Sequence, residues 1–484
     1  MDRAKIIFGN EIRDRDYRAA VKKQEGFLKK YGDDRQAHYG VQLSDSPVIS
    51  ALFGAKSILP GECRAAELGE NPLVVGNIRM GFGHYRMAMA VASAAASMGY
   101  TPFWLDFLSF PESGCSKIIA GQNELYSLGS RLSQRFALFN RLVWEPMNSE
   151  GFRKLSYNAA DQKVSELFAP ILSAIPKDTP FVSTHAWCAQ AAEHAGFTHV
   201  VSAVCDNWPM ALHLAEGSVH AVQTRSAFLG YKVLRGMDAE RQLRPMPAGQ
   251  LRYVGHYVDH ELVEGIAHDA ARRLAKLGTD RPKAYLLTIG GAGAQRALFE
   301  AIVRGLLPEI EAGRAALFLN FGDHLDAWED MKKAVPGLAG TAQEHFGDFV
   351  SVADFYSRYL DADAAGVHVF YSPEIFQAVY TTNLLMRLCD VLLTKPSELS
   401  FYPVPKLMLR RVGGHEAYGA LHASELGDGT YECRTPEEVL GMLRAMALDG
   451  EILSQMNECI LENQKAGLYD GAYELVRLAA AERT

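Results

Sequence analysis

NPLVVGNIRMGFGHYRMAMAVASAAASMGYTPFWLDF, residues 71–107, is the stretch whose reading decides the fold. Residues 73–75 read as a short buried strand, and Gly76, Gly81 and Gly83 form a turn into a helix that begins at about His84. The helix carries Met87, Val91, Ala95 and Met98 at helical spacing on one face. Gly99 stops it, and residues 101–105 form a second strand that delivers Asp106 and Phe107 at its far end. Strand, glycine loop, helix and strand make a βαβ unit with the loop at the carboxyl edge of the sheet. Open α/β sheets bind ligands at that edge, where a helix amino end offers free N–H groups and partial positive charge to an anion.

Gly81 and Gly83, with Asp106 further on, imitate a dinucleotide fingerprint. That fingerprint requires a third small residue three positions after the second glycine, and here His84, Tyr85 and Arg86 follow Gly83. NAD and FAD are therefore disfavoured. A tight turn with a surface histidine is the plain alternative, but an imidazole beside two glycines at a helix start can face a bound ligand.

Downstream, FVSTHAW and THVVSAVCDNWP each place polar groups just past a buried strand, at Thr184 and His185 and at Asp206. In a parallel sheet these positions converge with the Gly81 loop, so His84, His185 and Asp206 are candidates for one cleft. Each taken alone reads first as a satisfied structural group, and it is the three together that point to a site. The opening pattern then repeats. Residues 284–289 form an apolar strand, Gly290, Gly291 and Gly293 follow, and a helix starts at about Ala294. Further strands fall at 315–320, 367–370 and 390–393, the last ending at Thr394 and Lys395, and residues 452–481 read as helical. Two such units predict an α/β protein of two Rossmann-like domains facing each other across a cleft.

The predicted organisation is an amino-terminal extension of open role at residues 1–70, a first domain at 71–256, a second at 257–460, and a carboxyl-terminal helix at 461–484 that can cross back to the first domain. The 484-residue length exceeds a single core, which fits this division. The helical stretch YSLGSRLSQRFALFNRLVW sets Phe136, Leu138, Phe139 and Trp144 among Arg131, Arg135 and Arg141. It reads as a core-facing helix pair or as an acceptor- or membrane-facing surface.

The composition is that of an ordinary globular protein, with 48% hydrophobic and 22% charged residues. The net charge of −8 and the lack of a long basic run exclude a nucleic-acid partner. Seven scattered cysteines, odd in number and without a CxxC pair, predict a reducing compartment and no structural zinc site. With neither a signal-peptide core nor an 18-residue apolar run, the expectation is a soluble cytoplasmic protein, for which peripheral membrane contact stays open.

Four stretches together resemble the GT-B glycosyltransferases, in particular the branch of monogalactosyldiacylglycerol synthase and the lipid II N-acetylglucosaminyltransferase. GFGHYRMAMAVASAAASMGY is similar to that branch's G-x-G-H-x-x-x-A loop and helix. VSTHAW with VVSAVCDNWP is similar to its acceptor-domain strands. YVGHYVDHEL running into LLTIGGAGAQ resembles its interdomain link and first donor-domain turn. CDVLLTKPSELSFYPVPKLMLRRVGGHEAYGA resembles its donor-site run. Phe82 stands where the family has glycine, Pro396 and Ser397 replace expected glycines, and His415 replaces the glutamine before Glu416. The resemblance covers residues 71–440.

It implies a metal-independent hexosyltransferase that moves a sugar from a nucleotide-diphosphate sugar, a UDP-sugar by preference, to a hydroxyl acceptor. The nucleotide sugar is the co-substrate, with no separate cofactor, and the acceptor is left open between lipid and small molecule. Gly81 and Gly83 would face substrate. Gly291, Ala292 and Gly293 would bind the diphosphate, backbone near Phe370 and Tyr371 the base, Glu398 the ribose, and His415 with Glu416 the sugar, with Lys395 a further substrate-binding residue. His84 would be the base, with His185 or Asp206 as substitutes, since imidazole is near half-protonated at neutral pH. Glu398 reads equally as a helix cap, and Gly413 with Gly414 as a plain turn. A UDP-sugar epimerase and a non-catalytic binding protein of the same fold are the rival expectations.

Overall fold

The computed structural model describes residues 2–135, 150–289, 295–411, 413, 416–448 and 450–481. The stretch around Phe136 and Trp144, residues 290–294, and Gly414 and His415 lie outside the described residues. The chain forms two compact units, one of Met1–His260 with Asp470–Thr484, the other of Glu261–Tyr469.

The first unit is built on an eight-stranded sheet. Its strands are β3 (Val41–Asp45), β4 (Lys56–Pro60), β5 (Pro72–Asn77), β6 (Thr101–Asp106), β7 (Phe181–Ser183), β8 (Val200–Ala203), β9 (Val219–Val222) and β10 (Leu251–Tyr253). They lie in the order β10-β9-β8-β7-β5-β6-β4-β3, with every pair parallel except β3 against β4. A small antiparallel pair, β1 (Ile6–Ile7) and β2 (Asn10–Glu11), stands apart. Residues 1–70 are thus no separate extension. They supply two strands of the main sheet, and their helix Asp14–Tyr31 packs on the helix Leu155–Ser165 of the same unit.

Continuous apolar runs make these strands, because a parallel sheet is covered on both faces. Leu73, Val74 and Val75 in β5 have no exposed surface. The helix after β5 spans Phe82–Ser97, two residues earlier than the sequence suggests, so Gly83 lies in its first turn and Gly76 lies in the strand. Gly76 is needed there for close packing, since a Cβ at that position would sit 2.5 Å from the Phe181 ring. Burial runs without break from Tyr85 to Ala95, not along one face only. The sheet covers one side and the helix Gly471–Ala480 the other, which explains the run of alanines.

That last helix belongs to the first unit. Its start is fixed by Gly471, whose N–H bonds the His256 carbonyl at 3.0 Å and whose missing Cβ would clash with the Gly255 oxygen. Tyr473 then meets His260 Nδ1 through its hydroxyl at 2.7 Å.

The second unit carries six parallel strands in the order β13-β14-β12-β11-β15-β16. These are β11 (Lys283–Thr288), β12 (Ala315–Asn320), β13 (Ala342–Phe346), β14 (Gly366–Tyr371), β15 (Val391–Thr394) and β16 (Lys406–Met408). Its core gathers Leu287, Leu317, Leu319, Val369 and Leu393 with Trp328. Buried charge sits beside that core. Lys406 and Asp428, both without exposed surface, pair at 2.8 Å, and Lys406 also donates to the Tyr402 carbonyl while Tyr469 donates to Asp428.

Candidate active site

In the first sheet the chain passes from β5 to β6 on one side and later places β7 on the other, so β5 and β7 flank the point where the winding reverses. Gly76 pairs with Ser183, and Ser183 with Ser202, so the carboxyl ends of β5, β7 and β8 finish side by side. Ligands of open α/β sheets bind in this crevice. The residues that follow these three strands carry the candidate chemistry.

His84 stands in the first turn of the helix after β5. Its Nδ1 lies 2.6 Å from the Thr184 carbonyl oxygen. A carbonyl only accepts, so Nδ1 carries a proton, and in the neutral ring Nε2 carries the lone pair. Gly81, at the cap, adopts φ 92° and ψ −178°, a region essentially confined to glycine. His185 follows β7, and its ring meets that of His84 edge to face with centroids 4.8 Å apart. Its Nδ1 accepts the Trp187 N–H at 3.2 Å and caps the helix Ala186–His194. In the neutral ring the proton is therefore on Nε2. Burial, and to a lesser degree the charges of His84 and His213, hold His185 well below its ordinary pKa. His185 is thus held neutral by burial, and its Nε2–H is a hydrogen-bond donor.

Asp206 follows β8. Its Oδ2 meets His213 Nε2 at 3.0 Å and Cys205 Sγ at 3.6 Å, and Cys205 Sγ lies 4.0 Å from His213 Nδ1. These three side chains place their donor atoms within 4.8 Å of one another. His213, on the turn Ala211–His213, is not legible as a site residue in the sequence, because PMALHL carries no periodic or motif signal. Asp106, at the end of β6, is buried and occupied by the Tyr85 hydroxyl and the Leu108 N–H. Burial raises its pKa.

In the second sheet the winding reverses between β11 and β15, whose ends run in register through Leu287 and Leu393. Thr288 and Thr394 meet there through their hydroxyls at 3.4 Å. Lys395 comes next and pairs with Glu416, which is buried and also accepts the Gly413 N–H at 3.1 Å. Two predicted donor-site residues thus meet. Glu398 opens the short turn Glu398–Phe401 rather than a long helix. Phe370 and Tyr371 end β14, and their carbonyls accept the N–H groups of Phe321 and Gly347 at 2.9 Å each. They border a pocket lined also by Asn320, His345, Asp348 and Gln377, in which His345 stacks on Phe370 at 4.7 Å. Gly291, Ala292, Gly293 and His415 lie outside the described residues.

The chain is thus an α/β protein of two parallel-sheet units, each with a cluster of polar groups at the carboxyl edge. Residues 6–233 match the model of one domain of unknown function (DUF6937), and residues 246–480 that of another (DUF6938). No curated protein matches the chain. Solved structures that resemble it include the UDP-GlcNAc 2-epimerase of Neisseria meningitidis bound to UDP-GlcNAc, at 11% identity and TM-score 0.44, covering 84% of this chain and 98% of that one. The α,α-trehalose 6-phosphate synthase of Burkholderia multivorans aligns at 12% identity and TM-score 0.43, covering 85% and 99%. The S. aureus MnaA–UDP co-structure aligns at 12% and 0.41, covering 80% and 91%. Among the described residues no helix is long and apolar enough to cross a membrane.

Proposed function

We propose that this protein is a cytoplasmic GT-B glycosyltransferase, taking a sugar from a UDP-sugar bound by its second unit and passing it to a hydroxyl acceptor at the first. The single observation that carries the reading is the Nδ1 bond of His84 to the Thr184 carbonyl, which makes Nε2 the acceptor nitrogen of a neutral imidazole at the winding reversal of the first sheet. His185 supplies a neutral donor beside it, so the pair can accept one proton and donate one hydrogen bond. Departure of the diphosphate is assigned to the backbone at residues 291–293 and to Lys395, whose pairing with Glu416 supports a preformed donor site.

A UDP-sugar epimerase is the second reading, favoured by one feature: His84, His185, His213 and Asp206 gather at the ends of neighbouring strands, as opposed proton transfers at one sugar carbon would need. Incubation with a panel of UDP-sugars separates the two. Release of UDP that grows with added acceptor supports transfer, and an isomerised UDP-sugar without acceptor supports epimerisation. No binding and no turnover of any nucleotide sugar would refute both.

A further inference from the structure

The Cys205, Asp206 and His213 cluster offers one thiol, one carboxylate and one imidazole, the donor set of zinc. A tetrahedral zinc with N and O ligands at about 2.0 Å and sulfur at about 2.3 Å separates N from O by about 3.3 Å and S from O by about 3.5 Å. The distances here are 3.0 Å from His213 Nε2 to Asp206 Oδ2 and 3.6 Å from Cys205 Sγ to the same oxygen. Three side chains from a strand end and the following turn thus already hold two edges of a coordination tetrahedron, N to O and S to O.

We propose that Cys205, Asp206 and His213 bind a zinc ion, with a fourth position left for water or a substrate oxygen. Three protein ligands with one open position is the arrangement of reactive zinc centres rather than closed structural ones. His213 is buried and Asp206 is about one-third exposed, so the site has a rigid inner side and an outlet. On binding, Cys205 loses its proton to solvent and becomes the thiolate ligand, while the His213 proton moves from Nε2 to Nδ1. The scattered cysteines, without a CxxC pair, speak in the sequence only against a structural zinc site. Here one cysteine, its neighbouring aspartate and a histidine seven residues on come together through a turn. The inference rests on these side chains alone, not on glycosyl transfer.

The test uses the full chain, freed of metal by a chelator and titrated with Zn²⁺ or Co²⁺. The expected result is one equivalent bound, with a thiolate-to-cobalt charge-transfer band. Cys205→Ser should lose that band, and His213→Ala should weaken zinc binding by about tenfold or more, with circular dichroism confirming that each variant is folded. Should either variant fail to fold, the wild-type cobalt spectrum decides alone. Overturning results are a wild-type protein with no charge-transfer band, or folded variants that bind zinc like the wild type. Rapid alkylation of Cys205 unaffected by saturating zinc would likewise reject the metal and leave a reactive thiol beside an imidazole.

Discussion

His84 and His185 meet edge to face with ring centroids 4.8 Å apart, yet their hydrogen bonds hold opposite tautomers. The Thr184 carbonyl fixes the proton of His84 on Nδ1, while the Trp187 N–H occupies Nδ1 of His185 and leaves its proton on Nε2. Two neighbouring imidazoles thus divide acceptor and donor roles at the ends of β5 and β7. The division comes from the backbone on either side of His185, which no side-chain motif announces.

His84→Ala should lower turnover by ~10²-fold or more and leave nucleotide affinity nearly unchanged, if Nε2 takes the acceptor's proton. A residue that only fastened the loop would behave differently. It would cost a hydrogen bond worth about 1 kcal/mol and lower the melting temperature, with activity per folded molecule retained. Steady-state rates beside a UDP titration distinguish them, and wild-type turnover in a folded variant would remove His84 from the mechanism.

The two glycines of the loop should respond in opposite ways to alanine. Gly81 holds φ 92° with ψ −178°, and a Cβ there would have open space, so the penalty is backbone strain alone. Gly81→Ala should cost about 1–3 kcal/mol. Gly83 has helical backbone in the first turn, where alanine is the better helix former, so Gly83→Ala should be neutral or stabilising by up to about 1 kcal/mol. Thermal melts of both variants check the contrast, and equal losses would contradict the assigned helix start.

Much of the fold was legible because buried parallel strands are short apolar runs, and β5, β6, β11, β12 and β15 are of that kind. The strands that escape such a reading are polar or peripheral. AQEHF of β13 has no fully buried residue, and VQLSD of β3 alternates at a sheet edge. Residues 1–70 read as detached because the charged helix Asp14–Tyr31 exposes half of its residues, although it packs within the first unit. At the site, His84, His185 and Asp206 stand out as polar residues following strands. His213 and the role of Cys205 do not, since their partnership with Asp206 depends on how the turn after β8 folds back. Nor do the tautomers, which are set by carbonyl and N–H groups common to every residue.

Acid should weaken both units between about pH 6.5 and pH 4. Burial pushes His220, in the first unit, and His368, in the second, from an ordinary 6.5 down to about 4. His220 Nε2 accepts the Ala215 N–H at 2.9 Å, and a protonated ring would lose that bond. Within this window the unfolded chain binds protons that the native one refuses, so stability falls as pH falls, by up to about 1.4 kcal/mol per pH unit for each histidine. Urea unfolding across the window should show this slope. His220→Gln, which keeps an acceptor, should reduce it for the first unit only, and an unchanged slope would show that His220 does not carry it.

Lys406 and Asp428 provide the sharpest stability test in the second unit, because both are without exposed surface and each has a further partner. Lys406→Met removes one charge and leaves the other buried beside Tyr469. Breaking such a pair from one side costs about 3–5 kcal/mol, whereas replacing both members by uncharged groups of similar size is often close to neutral. Lys406→Met should therefore be severe, and adding Asp428→Asn should recover most of the loss, since the amide can still accept from the Tyr469 hydroxyl. Burial also raises the pKa of Asp428 while Lys406 opposes the rise, so removing Lys406 should let Asp428 take up a proton. The single variant should then regain stability as pH is lowered, opposite in sign to the histidine effect. Calorimetry at several pH values on wild type, single and double variants would decide it. A double variant no more stable than Lys406→Met would mean that packing around the lysine stem, and not the stranded carboxylate, sets the cost.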